Sequence, residues 1–326
     1  MAETMRAWRI GAYGEPADVM ALGEAPVPEA GPGEVLIRNR AVAVNFPDVL
    51  LARGQYQERP PLPFTPGIEL CGEVAALGPG AERFAVGQRV VATAIGVMAE
   101  YAAVPEASVH EAPDALDDAA AAAFLIAYQT AWFGLHRRAN IQSGETLLVH
   151  AAAGGVGTAA CQLGAVAGAE VIGVVGSEAK ARVAEASGAA RVLLRGEDWA
   201  GAVKAAGGAD VVFDPVGGAA FTGSARAVGF EGRIVVVGFA SGEVPPVRAD
   251  HALVKNYSVL GLHWALYQRR RPDLVAEAHA ELTRLAAEGA VRPVVSAAVP
   301  FADAAQAVQR LADGGTTGRL VVAVGE

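Results

Sequence analysis

The chain has 326 residues, 52% hydrophobic and 19% charged, which suits two packed domains and excludes a disordered polymer. Its formal net charge of −9 contains no long run of one sign, which argues against nucleic acid or an anionic membrane as partner. The two cysteines, Cys71 and Cys161, are too few for a four-cysteine metal site, and no basic leader precedes the first apolar run, so a cytoplasmic setting is expected.

The first 120 residues hold short apolar runs broken by Gly and Pro: "GEVLIRNRAVAVN" (33–45), "ELCGEVAAL" (69–77), "GQRVVATAI" (87–95) and "AEYAAV" (99–104). They predict an antiparallel, partly closed β domain. The segment "AAAAAFLIAYQTAWFGL" (119–135) is too short for a membrane span of about 20 residues and carries Tyr128, Gln129 and Thr130, so it reads as a buried helix. Next, "ETLLVH" (145–150) is an apolar run of the kind buried on both faces of a parallel sheet.

"AAAGGVG" (151–157) follows, spaced A-x-G-x-x-G with Ala152, Gly154 and Gly157 at the three marked positions. After it, "VGTAACQLGAVAGA" (156–169) places Val156, Ala160, Leu163 and Ala167 on one helical stripe, and "EVIGVV" (170–175) is a second strand. Strand, glycine turn, helix and strand are the setting in which such glycines bind a dinucleotide. Gly154 admits a pyrophosphate, Gly157 lets helix and strand pack closely, and the free N–H groups of Gly155, Val156 and Gly157 meet negative charge.

Strand two ends at Val175-Gly176-Ser177. Glu178, about 20 residues past the loop, is placed to bind ribose hydroxyls in the manner of an NAD enzyme. Ser177 also reads as a helix N-cap, which would make Glu178 a dipole partner in the first turn. Lys180 and Arg195 then suit a 2′-phosphate, and NADPH is the preferred cofactor. "RVLL" (191–194), "DVVFD" (210–214), "GRIVVVG" (232–238) and "YSVLGLH" (257–263) continue the alternation expected of a doubly wound α/β sheet, with "PVGG" (215–218) and "FASGE" (239–243) as crevice loops. The stretch 292–324 has strand–helix–strand character without a glycine fingerprint and is expected to return to the first domain.

"AVNFPDVLLARGQY" (43–56), "PPLPFTPGIELCGEV" (60–74), "AAAGGVG" (151–157), "VVFDPVGG" (211–218), "VVVGFASGEVP" (235–245) and "VRPVVSAAVPF" (291–301) together resemble the medium-chain dehydrogenase/reductase superfamily, in its quinone oxidoreductase, or zeta-crystallin-like, branch. The resemblance implies a Rossmann domain (124–265) inserted in a GroES-like substrate domain (1–123 and 266–326). It also implies a homodimer, joined through the strand "SVLGLH" (258–263).

Zinc enzymes of that superfamily need a Cys near Asn45 and a Gly-His-Glu triplet; here the loop is Asn45-Phe46-Pro47-Asp48 and the triplet Gly67-Ile68-Glu69. No catalytic zinc is expected, which favours hydride delivery to an acceptor that is already polarised, a quinone or an α,β-unsaturated carbonyl compound. By the resemblance, Asn45 lies near the nicotinamide ribose and Tyr56 faces the substrate as a proton donor. Thr130 meets the nicotinamide, Phe239, Ala240 and Ser241 meet it through backbone groups, and Arg319 reaches the phosphates. Asp48 is expected to be a structural hydrogen-bonding partner, and His263 and Trp264 to border the pocket or a subunit interface. Two other functions stay open: an enoyl-thioester reductase using Arg53, Arg59 and Arg269-Arg270-Arg271, and a crystallin-like protein that holds NADPH without turnover.

Overall fold

The computed structural model describes residues 3–325 as two compact units, one taking the chain to Ile126 and again from Arg292, the other running from Ala127 to Val291. The inserted organisation expected from the sequence is present, but the return comes at 292 instead of 266. The helices Trp264–Arg270 and Pro272–Ala287 stay with the second unit. The longer one buries Val275, Ala278, Leu282, Leu285 and Ala286, an apolar stripe at helical spacing that anchors it there.

In the first unit, β1 (Thr4–Ile10) and β2 (Met20–Pro26) form an antiparallel hairpin. A seven-stranded sheet comprises β3 (Glu34–Ala43), β4 (Glu69–Leu77), β5 (Arg89–Thr93), β6 (Tyr101–Pro105), β7 (Val109–Glu111) and, from the end of the chain, β14 (Val295–Pro300) and β15 (Arg319–Ala323). Its order is β14-β15-β3-β4-β5-β7 with β6 also paired to β3, and only β14–β15 is parallel. Alternation along β3 sends Val35 and Ile37 into a core with Leu70, Val74, Val90 and Val104, while Arg38 and Arg40 stay outside on Glu73; past a register shift between Asn39 and Ala41, Val42 joins the same core.

The second unit holds a wholly parallel sheet of β8 (Thr146–His150), β9 (Glu170–Val175), β10 (Arg191–Leu194), β11 (Ala209–Asp214), β12 (Val228–Val236) and β13 (Ser258–Gly261). The order is β10-β9-β8-β11-β12-β13, so the winding reverses between β8 and β11, where such sheets open a ligand crevice at the strands' carboxyl ends. Helix Gly155–Val166 lies tightly on the sheet because Gly164 has no side chain: a Cβ there would come within 2.4 Å of Leu147 Cδ2.

The alanine-rich segment is buried as expected but is not one helix. It is α-helical over Asp118–Ala122 and Leu125–Trp132 and closes as a π-helical turn, Phe133–Arg138. Among the described residues no helix is long and apolar enough to cross a membrane. Cys71 and Cys161 are both buried and unbridged.

Candidate functional site

The glycine loop leaves β8 with Ala151 at φ 49°, a conformation uncommon for a residue with a side chain, and turns at once into the helix. Gly157 is obligatory here, since a Cβ on it would lie 2.1 Å from the Ala151 carbonyl oxygen. Gly154 is the N-cap and brings no side chain to cap with, so the first-turn N–H groups of Gly155, Val156 and Gly157 have no intrahelical acceptor. Ala152, at the first glycine position of the fingerprint, is fully buried, and its methyl packs against Gly173 of β9.

At the end of β9, Ser177 is the N-cap of helix Glu178–Ala186, its Oγ accepting from the Lys180 backbone N–H, and Glu178 sits exposed in the first turn. Arg195 lies beside this corner. Its backbone N–H donates to the Val175 carbonyl at 2.7 Å, and its Nη2 lies 3.3 Å from where a Cβ on Gly176 would be. Folding therefore brings Ser177 and Arg195 together, with Lys180 one turn into the helix.

The two crevice loops are stitched to each other. Asp214, at the end of β11, accepts from the Val216 and Gly217 N–H groups at 2.8 and 3.0 Å, shaping a turn in which Gly217 and Gly218 both take positive φ. Ala240 N–H donates to the Pro215 carbonyl, Ser241 N–H to that of Val216, and Gly218 N–H to that of Glu243. Phe239, Ala240 and Ser241 remain exposed on this stitched surface. The Asp214 turn was not singled out in the sequence, although an acid closing a strand before Pro-Val-Gly-Gly is a signal that could have found it.

Beneath the loops, His150 ends β8 and its Nε2 is 2.7 Å from Ser224 Oγ, with the ring edge-on to Trp199. Burial pushes the imidazole down to about 4 in spite of nearby Asp214, so it is neutral at pH 7.

In the first unit, Asn45 is 3% exposed and begins helix Phe46–Ala52. Its backbone N–H donates to Asp48 Oδ2 at 2.8 Å, and the Gly67 N–H donates to Asp48 Oδ1 at 3.1 Å. Asp48 thus clamps two loops, the structural role expected of it; burial pushes its carboxyl up to about 7 against the pull of those two amides. Asn45 Nδ2 donates to Glu69 Oε2, which also receives Arg319 Nη2, while Glu69 Oε1 accepts from the Ile126 N–H. Arg319 therefore differs from its expected place at the phosphates: it is 6% exposed and its guanidinium is taken by a buried carboxylate. Glu69 was visible in the sequence only as part of a broken metal triplet. Ile68, where zinc relatives have histidine, packs into the apolar core. Among the described residues no group of three or more His, Cys, Asp or Glu is placed to hold a metal ion.

Tyr56 is half-buried against the first unit's core, and Thr130 is buried on helix Leu125–Trp132 of the second. Trp264 is buried, its Nε1 donating to Gln129 Oε1, while His263 is exposed. Of the arginines considered for a thioester, Arg53 is held by Glu15 and Arg271 by Asp273.

Two family descriptions match the chain, "Alcohol dehydrogenase GroES-like domain" over residues 31–114 and "Zinc-binding dehydrogenase" over 155–280. A quinone oxidoreductase-like protein 2 homolog of Nematostella vectensis is 36% identical over 299 residues, covering 90% of this chain and 82% of that one. Among solved structures, a mycobacterial protein complexed with NADPH superposes with TM-score 0.91 at 33% identity, covering 98% of this chain and 99% of that one. Escherichia coli quinone oxidoreductase, also complexed with NADPH, gives TM-score 0.91 at 29% identity over 98% and 100% of the two chains.

Proposed function

The chain belongs to the medium-chain dehydrogenase/reductase superfamily, in its quinone oxidoreductase branch, and from that premise we propose an NADPH-dependent, zinc-independent reductase of quinones or α,β-unsaturated carbonyl compounds. NADPH is the cofactor, and it supplies a hydride to the acceptor when bound. The observation that carries the reading is the corner where Arg195 lies over Gly176 beside the exposed Ser177 cap. A guanidinium there fits a 2′-phosphate, whereas Glu178 is exposed in the first turn of a helix, where a carboxylate complements the dipole.

The first-turn amides of Gly155, Val156 and Gly157 fit the pyrophosphate, and the space that a Gly157 Cβ would fill keeps the helix start against Ala151. The stitched loops present Phe239, Ala240 and Ser241 as backbone contacts for the nicotinamide end, and Thr130 joins them. In the first unit, Asn45 orients the cofactor ribose and Tyr56 delivers the proton that accompanies hydride transfer to the acceptor. With Ile68 in the core, the side chains here suit reduction of a polarised acceptor better than formation of an alkoxide from an alcohol. The ion pairs of Arg53 and Arg271 weaken the enoyl-thioester alternative. A homodimer is part of the proposal, because β13 is an edge strand that pairs, among the described residues, with β12 alone.

The test measures NADPH consumption with a small quinone, an enone and crotonyl-CoA, with and without a chelator. Chelator-insensitive turnover of the first two supports the proposal; preference for crotonyl-CoA moves it to the thioester branch. Tight NADPH binding without turnover leaves the non-catalytic reading. Sedimentation showing only monomer at micromolar concentration removes the dimer.

A further inference from the structure

Asn45, Glu69 and Arg319 come from three distant segments, yet they meet inside the first unit with exposures of 3%, 0% and 6%. Every group that touches the Glu69 carboxyl is a donor: the Ile126 N–H on Oε1, and Arg319 Nη2 and Asn45 Nδ2 on Oε2. A proton on Glu69 would find no acceptor among these three, so they satisfy the carboxylate form. A carboxylate at that place fixes the Asn45 side chain, because only its amide nitrogen can face it. The second amide hydrogen is engaged as well, with the Ala43 carbonyl oxygen 3.2 Å from Nδ2. Both Asn45 donors are thereby spent within the fold, and Oδ1, which faces the Asp48 N–H in the capping box, keeps one lone pair for a ligand.

We propose that Glu69 and Arg319 are positioning residues that lock Asn45 as an acceptor, so that it receives a hydroxyl of the cofactor ribose and does not donate to the substrate oxygen that gains charge. This deepens the reductase reading and rests on it. The Arg319–Glu69 pair then serves a purpose beyond packing: without the guanidinium, a neutral Glu69 could present O–H to Asn45 and let the amide turn over. It also follows that the hydrogen bond to the developing oxyanion comes from another group.

The experiment is a fluorescence titration of the full-length protein with NADPH, for wild type, Asn45→Asp, Glu69→Gln and the double variant. Asn45→Asp sets two acceptors face to face and is expected to weaken NADPH binding about 10-fold. In the double variant the new amide at position 69 donates to the new carboxylate at position 45, which also takes over the Arg319 guanidinium that shared the Glu69 oxygen and still offers an acceptor outward. Binding should return to within about 3-fold of wild type, a recovery on the scale of one restored hydrogen bond. A double variant as weak as Asn45→Asp overturns the proposal.

A measurement on the wild-type apoprotein guards against variants that do not fold. Both side-chain amide protons of Asn45, followed by NMR and assigned by loss of the signal in Asn45→Ala, should exchange slowly with solvent; one proton exchanging at the free rate overturns the locked orientation. Wild-type protein that does not bind NADPH fails the reductase reading, and the amide exchange still decides the orientation.

Discussion

The two units build their candidate sites from opposite materials. In the second, the candidate site is made of backbone: the first-turn amides of helix Gly155–Val166, the turn closed by Asp214, and carbonyls that stitch one loop to the next. In the first, it is made of buried side chains, with Asn45, Asp48, Glu69 and Arg319 drawn from separate strands and loops into one polar knot. A backbone site depends on small residues and close approach. A side-chain site depends on every donor finding its acceptor, because an orphaned partner in such surroundings costs about 1–3 kcal/mol. The same chain thus has one region sensitive to added volume and another sensitive to altered charge.

Adding volume should have the largest effect. Gly157→Val places atoms against the Ala151 carbonyl, and NADPH binding is expected to fall at least about 100-fold, or nearly 3 kcal/mol, in a fluorescence titration. Binding within a few-fold of wild type would mean that the helix start does not hold the pyrophosphate. Next comes Arg195→Ala, which should weaken NADPH by about 10-fold or more, the scale of a charge-assisted hydrogen bond, while NADH affinity stays nearly constant. Equal losses for both dinucleotides would remove Arg195 from the 2′-phosphate.

The charge-sensitive side of the comparison appears in the pH dependence of stability. Burial raises Asp48 from 3.8 to about 7, so its contribution is full below pH 3.8 and is lost as pH rises towards 7. His150 is lowered from 6.5 to about 4, so its contribution is full above pH 6.5 and is lost as pH falls towards 4. Between about pH 4 and 6.5 the two slopes oppose each other. Asp48→Asn should expose a loss of stability on acidification of about 1.4 kcal/mol per pH unit, and His150→Gln a loss of similar size on going alkaline. Denaturant melts at several pH values check both signs, and parallel profiles in the two variants would contradict the assignment. The smallest expected effect is at the exposed pair of Arg284 and Glu288 on one helix face, where Glu288→Ala should cost about 0.5 kcal/mol or less without altering NADPH affinity.

The same division decides how much could be read before folding. Parallel strands that are compact apolar runs were legible: "EVIGVV" is β9 and "RVLL" is β10 with the expected bounds, whereas β12 starts at Val228, four residues before the run expected at 232–238, because its first half is not apolar. The glycine spacing and the Ser177 cap were legible because their geometry is local, set within three or four residues. The polar knot was not. Glu69 and Arg319 are 250 positions apart, and nothing near Arg319 in sequence reveals that its guanidinium will be buried against a carboxylate. A lone arginine near glycines looks the same whether it meets a phosphate or a carboxylate. The boundary at 292 was missed for a related reason: helix Pro272–Ala287 chooses its unit by which face it buries, a matter of tertiary packing.

The bonds that stitch residues 215–218 to 239–243 have a consequence for how this sequence can drift. They run from Ala240, Ser241 and Gly218 N–H groups to the carbonyls of Pro215, Val216 and Glu243, so none of them involves a side chain. Substitution at Ala240 or Val216 leaves the stitching in place, whereas inserting or deleting one residue shifts each donor away from its acceptor. This part of the molecule is written in the length of its loops more than in their letters. Across descendants of this chain the spacing between Asp214 and Glu243 should therefore outlast the identities of most residues between them.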